Sequence, residues 1–276
     1  MIRYQLTYLL QRRDFRVSFL LMLFIAGGYP VFLVYTKLMQ GADLGTVCDP
    51  RYAYMFFSHS DLMDYFPFIF PIISLFPAAI SFNIDRNTNY YNIIVSKCGI
   101  RKYLYSYALI AILGGLFMMI FPLLINILFS YAMFPHTNYG LLYSNFYEDT
   151  YDLANNYSSY PFLQLLWHRY PIISDLYSAL RASVCMSVFS LITYVTSVFI
   201  QPKYTFMSII PVSLLVFSGR YLTEMLDSEV ISLDFMQCIG SLETSECSII
   251  LFWSILAILT VISFAILHLK TKKDMI

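Results

Sequence analysis

Six apolar runs, each close to the length that crosses a lipid bilayer, recur along the chain. They cover residues 17–36, 65–82, 105–131, 182–200, 204–221 and 249–268. A helix needs about 20 consecutive apolar residues to span the hydrocarbon core. Uninterrupted runs predict helices, because a membrane barrel would alternate apolar and polar residues. We therefore expect an all-α polytopic membrane protein with about six transmembrane helices, forming one transmembrane domain over residues 1–276.

The composition agrees with this fold class. Hydrophobic residues make up 59% of the chain and charged residues 12%, whereas soluble domains carry about 25% charged residues. A soluble globular domain is therefore excluded.

The basic residues are sorted to one side of the predicted spans, which fixes the expected orientation. Cytoplasmic segments of membrane proteins are enriched in Lys and Arg. Twelve of the 17 basic residues fall on the side that carries both ends of the chain. We expect both termini to be cytoplasmic in a multi-pass protein of the cell membrane. The twelve are Arg3, Arg12, Arg13, Arg16, Arg86, Lys97, Arg101, Lys102, Lys203, Lys270, Lys272 and Lys273.

Three segments outside the spans have distinctive compositions. The leader, residues 1–16, spaces its apolar residues as an amphipathic helix does and predicts an interfacial helix; a merely basic leader is the alternative. Residues 133–178 are rich in aromatic residues and predict an external cap, or an aromatic belt at headgroup level. Residues 222–248 form an acidic external loop.

Three of the five cysteines fall in segments predicted to be external. These are Cys48, Cys238 and Cys247. Disulfides form in oxidising compartments, so a bridge is expected only outside. Cys238 with Cys247 is the more local pair, and three thiols without a bridge are the alternative. No cysteine or histidine spacing indicates a metal site.

The cytoplasmic loop over residues 85–102 is too long for a simple turn. It begins with charged and amide residues, continues with an apolar patch, and is broken by Gly99 before a basic stretch enters the third span. This order favours a short cytoplasmic helix parallel to the membrane that offers a surface to a partner. A solvated connector is the alternative.

This loop resembles the first cytoplasmic loop of ABC-2 type transporter permeases. Asp85 and Arg86 match the acid-Arg pair of that pattern, the residues 93–95 match its apolar stretch, and Arg101 with Lys102 match its basic pair. Asn89 stands where the family usually has Gly, and Asn enters the left-handed region more readily than other side chains. Cys98 replaces a Pro.

The resemblance implies the membrane-spanning permease of an ATP-binding-cassette exporter, with no enzyme activity of its own. The chain has no phosphate-binding loop, because none of its ten glycines precedes a Lys. ATP and Mg would therefore bind a separate ATPase dimer, and no cofactor binds this chain. The other expected partners are a second permease, identical or related, and the lipid bilayer, with no nucleic acid. The implied ATPase-docking residues are Asp85, Arg86, Asn89, Ile93, Ile94, Val95, Arg101 and Lys102.

Two other functions remain open at this stage. An ion- or proton-coupled secondary transporter usually keeps an ionisable site at mid-membrane depth. Here four charged residues are expected near span ends, where charged side chains can reach the headgroups; they are Asp64, Arg181, Arg220 and Glu224. The third hypothesis is a non-transporting assembly or immunity subunit. The aromatic external segment weakly favours an amphipathic or peptidic substrate for the transporter.

Overall fold

The computed structural model describes residues 2–39, 54–56, 65–88, 90–133, 171–200, 202–226, 233–239 and 246–273. All regular elements in these ranges are helical. In chain order they are α1 (Ile2–Gln11), α2 (Arg13–Met39), α3 (Phe66–Ile73), α4 (Ala79–Asn87), α5 (Tyr90–Cys98), α6 (Ile100–Met133), α7 (Pro171–Phe199), a 3₁₀ helix (Pro202–Ile209), α8 (Ile210–Leu226), α9 (Phe235–Ile239) and α10 (Glu246–Lys273).

Five of the described helical segments are long and apolar enough to cross a membrane. They are Arg13–Thr36, Ile100–Met133, Ile172–Phe199, Lys203–Leu226 and Ile249–Lys272. Each contains most of one predicted span. The expectation of an all-α, multi-pass membrane protein is therefore confirmed for the part of the chain that the structure describes.

The second predicted span, residues 65–82, is divided between the short helices α3 and α4. Pro67 and Pro71 lie in α3, and Pro77 lies in the turn between the helices. Proline lacks the N–H that continues a helix. The break is enclosed by protein, since Ser74 is buried and its Oγ lies 2.7 Å from Thr193 Oγ1 in α7. Burial in protein is the condition under which an interrupted backbone is tolerated at membrane depth.

Helix α7 begins at Pro171, well before the predicted start of the fourth span at residue 182. Its first turns contain polar residues, so a search for apolar runs does not detect this part of the helix. These residues are Ser174, Asp175, Ser178 and Arg181. All four are buried in the structure. Helix α7 thus presents its polar residues to protein rather than to lipid, and it continues into the segment predicted as the external cap.

The centre of the bundle is the close contact between α6 and α7. A Cβ on Gly115 of α6 would lie 2.8 Å from the backbone oxygen of Met186 and 2.9 Å from Cα of Ser187 in α7. Small residues at helix contacts allow backbones to approach in membranes, where no hydrophobic driving force brings helices together. Gly115 is therefore a requirement of this packing.

The buried amide of Asn126 in α6 joins two other parts of the chain to this centre. Its Nδ2 donates to the backbone oxygen of Ala26 in α2, at 2.7 Å, and its Oδ1 accepts from the backbone N–H of Met55, at 3.0 Å. Asn126 is fully buried. A single side chain therefore binds α2 and residues 54–56 to α6.

Helix α1 and the end of α10 lie at the same end of the bundle as α5. The hydroxyls of Tyr4 in α1 and Tyr90 in α5 are 2.8 Å apart. Near the end of α10, His268 Nδ1 lies 3.3 Å from the hydroxyl of Tyr105 at the start of α6. Helix α1 also packs against α6, with Leu9 buried. A helix thus lies within the predicted leader and packs on the bundle, and its location in the membrane interface stays a prediction.

A test of the central contact compares two glycines. In Gly115→Ala the new methyl group meets backbone atoms of α7, and overpacking of this kind costs about 1–3 kcal/mol. We expect a lower thermal unfolding temperature for the purified protein in detergent. Gly28→Ala in α2 is the control, because its Cβ would meet nothing within 4 Å. Equal stability of both variants would contradict the described packing.

Candidate functional site

Helix α5 is a separate short helix on the end of the bundle, and none of its described residues is buried. It is separated from α4 by the turn at Thr88, whose Oγ1 donates to the backbone oxygen of Ile84 at 2.9 Å. At its other end Gly99 has a φ of 79°, a conformation that glycine adopts without steric cost. These two breaks set α5 apart from the long helix α6.

The three apolar residues predicted to dock on an ATPase do not share one face of α5. Ile93 is 53% exposed. Ile94 and Val95 are half-buried and pack against the cluster that includes Phe82 and Tyr103. Ile93 is thus the apolar side chain of the three that is presented outward, while its neighbours attach α5 to the bundle.

The remaining predicted docking residues fall into two groups. Arg101 and Lys102 are exposed at the start of α6, whereas Asp85 is 2% exposed inside the bundle. Asn89 lies outside the described residues. An exposed basic pair can contact a partner directly, but Asp85 can act on one only by positioning other residues.

The carboxylate of Asp85 accepts hydrogen bonds from three tyrosines. Tyr103 donates to Oδ2 at 3.0 Å, Tyr107 donates to the same oxygen, and Tyr8 of α1 donates to Oδ1 at 3.4 Å. Burial raises the pKa of Asp85, while the hydrogen bonds from Tyr107 and Tyr103 lower it, and burial has the larger effect. The carboxylate joins α1, α4 and α6.

The side chain of Arg86 contacts α7 and not the adjacent Asp85. Its Nη1 donates to the backbone oxygens of Ser197, at 3.2 Å, and Ile200, at 2.9 Å. These carbonyls lie at the C-terminal end of α7, where helix carbonyls have no partner within the helix and cations are favoured. Arg86 therefore fixes α4 to the end of α7.

The tyrosines around Asp85 were not predicted as site residues. Tyr103 and Tyr107 are four residues apart, which places them on one face of α6, and this spacing is visible in the sequence. Their partner Asp85 is too distant in sequence for a pattern to reveal the contact. The pair Tyr103 and Tyr107 also does not stand out in the sequence, because the chain contains 24 tyrosines.

A second polar cluster lies near the opposite end of α7, around Arg181. Its Nη1 donates to the backbone oxygen of Cys238 at 2.7 Å, and its guanidinium lies 4.9 Å from the ring centre of Tyr177. Nearby, Ser178 donates to the backbone oxygen of Ile239 at 2.6 Å. The expectation that Arg181 extends to the headgroups is wrong, because only 2% of it is exposed. Its charge is solvated by protein groups that hold α9 against α7.

The predicted disulfide between Cys238 and Cys247 stays a prediction. Cys238 is buried in α9, and the side chain of Cys247 lies outside the described residues. Within those residues no group of three His, Cys, Asp or Glu side chains could hold a metal ion.

Comparison with known proteins gives no match to a family model, a curated protein or a solved structure.

The hinge between α5 and α6 can be tested at Gly99. A β-branched side chain is strongly disfavoured at positive φ, at a cost of about 1–2 kcal/mol. We expect Gly99→Val to lower the thermal unfolding temperature more than Gly99→Asn does, because Asn enters the left-handed region more easily. Space is not the limiting factor, since a Cβ here meets nothing within 4 Å. Equal effects of the two substitutions would contradict a left-handed Gly99.

Proposed function

We propose that this chain is the membrane-spanning subunit of an ATP-binding-cassette exporter and that a separate ATPase docks on α5. The observation that carries the proposal is the construction of α5. It is a short helix set apart by two breaks, and none of its described residues is buried. It presents Ile93 outward, and the exposed Arg101 and Lys102 follow at the start of α6. A helix of this kind offers an apolar anchor and a basic rim to a protein partner.

The proposed topology has six crossings and cytoplasmic termini in the cell membrane. Residues 65–82, in α3 and the first turn of α4, form the sixth crossing, which is interrupted at the enclosed break near Ser74. The shared location of α1, α5 and the end of α10 supports this topology, because these elements carry five of the twelve basic residues expected on the cytoplasmic side.

The attachments of α5 suggest how a movement of the ATPase would reach the bundle. Tyr91 packs edge-on against Tyr103, with ring centres 5.3 Å apart. Ile94 and Val95 pack on the same cluster, and Arg86 fixes the preceding helix to α7. A displacement of α5 would therefore move α4, α6 and α7 as connected rigid bodies, the type of motion that alternating access requires.

The partners follow from the same proposal. Two ATPase subunits would bind ATP and Mg beneath two permease subunits, which are identical or related. We propose an amphipathic or peptidic substrate, in keeping with the aromatic external segment. Fold alone does not select a substrate.

A proton- or ion-coupled transporter is the second candidate, and the buried Arg181 favours it. Ionisable residues enclosed within a membrane bundle are rare and often functional. The interrupted α3–α4 crossing is a further feature of secondary transporters. A non-transporting assembly or immunity subunit has no such specific observation in its favour.

The docking surface is tested by Ile93→Asp. Burial of an isoleucine at an interface contributes about 1.5–3 kcal/mol, so a carboxylate there should weaken ATPase binding by about tenfold or more. The measurement is the amount of ATPase, identified by its phosphate-binding loop, that co-purifies with the tagged chain from its own cells, together with ATP-driven flux in liposomes.

Ile93→Val is the matched control, since it keeps an apolar side chain at the same place and should retain the ATPase. Both variants should unfold at the wild-type temperature because Ile93 is exposed. Wild-type ATPase capture and flux in Ile93→Asp would refute docking on α5. Flux that requires a pH gradient and no ATP would favour the second candidate.

A further inference from the structure

We propose that Asp85, enclosed by the hydroxyls of Tyr8, Tyr103 and Tyr107, is a proton-binding site that is occupied when α1 and α5 pack on the bundle and emptied when they separate. This site goes beyond the proposed function, although it shares helix α5 with the proposed docking surface. The ligand is a single proton exchanged with cytoplasmic water.

First, Asp85 forms no ion pair with a cationic side chain of the described residues. The adjacent Arg86 donates to Ser197 and Ile200 instead. Arg12 lies 3.9 Å from the carboxylate of Asp14, and its guanidinium is 5.4 Å from the ring centre of Tyr8. The charge of Arg12 lowers the pKa of Asp85, but no cation forms an ion pair with the carboxylate, and burial has the larger effect and favours the neutral form.

The second step is that the three tyrosine hydroxyls around Asp85 can form hydrogen bonds with both its ionised and its neutral form. With the carboxylate ionised, the three phenol hydroxyls donate to it. With the carboxyl neutral, its O–H can donate to a phenol oxygen while the other phenols still donate to its carbonyl oxygen. Loss of the proton breaks one O–H bond of the carboxyl, and water accepts the proton.

The titratable and charged groups that surround Asp85 come from every element packed near it. They are Tyr8 on α1, Arg12 directly after α1, Arg86 on α4, Tyr90 and Tyr91 on α5, Tyr103 and Tyr107 on α6, and Tyr194 on α7. The tyrosines remain neutral near neutral pH. Asp85 is therefore the group among them that can change charge between acidic and neutral pH.

The third step is that two short helices, α1 and α5, lie at the end of the bundle where Asp85 is enclosed. Helix α1 reaches this region through the long hydrogen bond from Tyr8 and the contact between Tyr4 and Tyr90, whose hydroxyls are exposed. Helix α5 buries none of its described residues. Leu9 of α1 is buried, and Ile94 and Val95 of α5 pack on the bundle, so both short helices must leave these contacts to admit water to the carboxylate.

Protonation and packing are therefore linked with a definite sign. The pKa of Asp85 is raised by burial in the packed form, so the packed form binds the proton more tightly than the open form does. Packing is most favourable below the ordinary pKa of an aspartate and weakens as the pH rises through the raised value. Acidification should close the cluster, and alkalinisation should loosen it.

Infrared difference spectroscopy on the purified full-length chain tests the proton site directly. Between about pH 4 and pH 8, a protonated-carboxyl band should titrate with a midpoint above that of an ordinary aspartate. The band should be absent in Asp85→Asn and retained in Asp14→Asn, whose carboxylate is half-exposed. Absence of such a band in the wild type, or its persistence in Asp85→Asn, would overturn the proposal.

Tyr107→Phe distinguishes a proton-binding Asp85 from an Asp85 with a merely structural role. The substitution removes a donor that favours the ionised carboxylate, so the midpoint should move to higher pH by about one unit. A midpoint that stays in place or moves to lower pH would contradict the assignment. This variant keeps the test decisive if Asp85→Asn does not fold.

The linked movement is measured by the distance between spin labels on Cys98 and on a cysteine introduced at Gln11, with the other cysteines replaced. Both positions are exposed. The distance should lengthen as the pH rises past the infrared midpoint, and Asp85→Asn should keep the short distance at every pH. A distance independent of pH would refute the linkage. No ATPase is present, so the outcome is separate from that of the docking test.

Discussion

The close approach of α6 and α7 is the contact on which the rest of the bundle depends. At Gly115 the two backbones are too near for a side chain between them. In a membrane this proximity replaces the hydrophobic effect as the source of helix association. The long helices then provide the surface against which α1, α2, α4 and α10 pack, and they carry the buried polar residues at both ends of the bundle.

The sequence predicted the long apolar helices well because the length and hydrophobicity of a spanning helix are direct properties of its residues. It placed the start of α7 too late, since Asp175 and Arg181 are polar yet buried, and their environment depends on tertiary contacts. The prolines indicated a distortion of the second span. They did not specify the enclosed break, whose contact between Ser74 and Thr193 joins residues far apart in the chain.

At the candidate site, the sequence indicated a short helix before α6, and the structure contains α5. It could not distinguish the outward Ile93 from Ile94 and Val95, because a nine-residue helix has no clear apolar face. The burial of Asp85 was equally inaccessible. Charge normally predicts exposure, and only the arrangement of tyrosines from α1 and α6 makes burial of this carboxylate feasible.

The amide of Asn126 also constrains how the protein is made. It joins backbone groups that precede it by 100 residues in α2 and by 71 residues at Met55. At synthesis rates of about 5–20 residues per second, the segment around Ala26 must wait about 5–20 seconds for its partner. During this interval α2 is in the membrane without the side chain that fixes it, so the amino-terminal span must persist as an independent helix until the middle of the chain is translated.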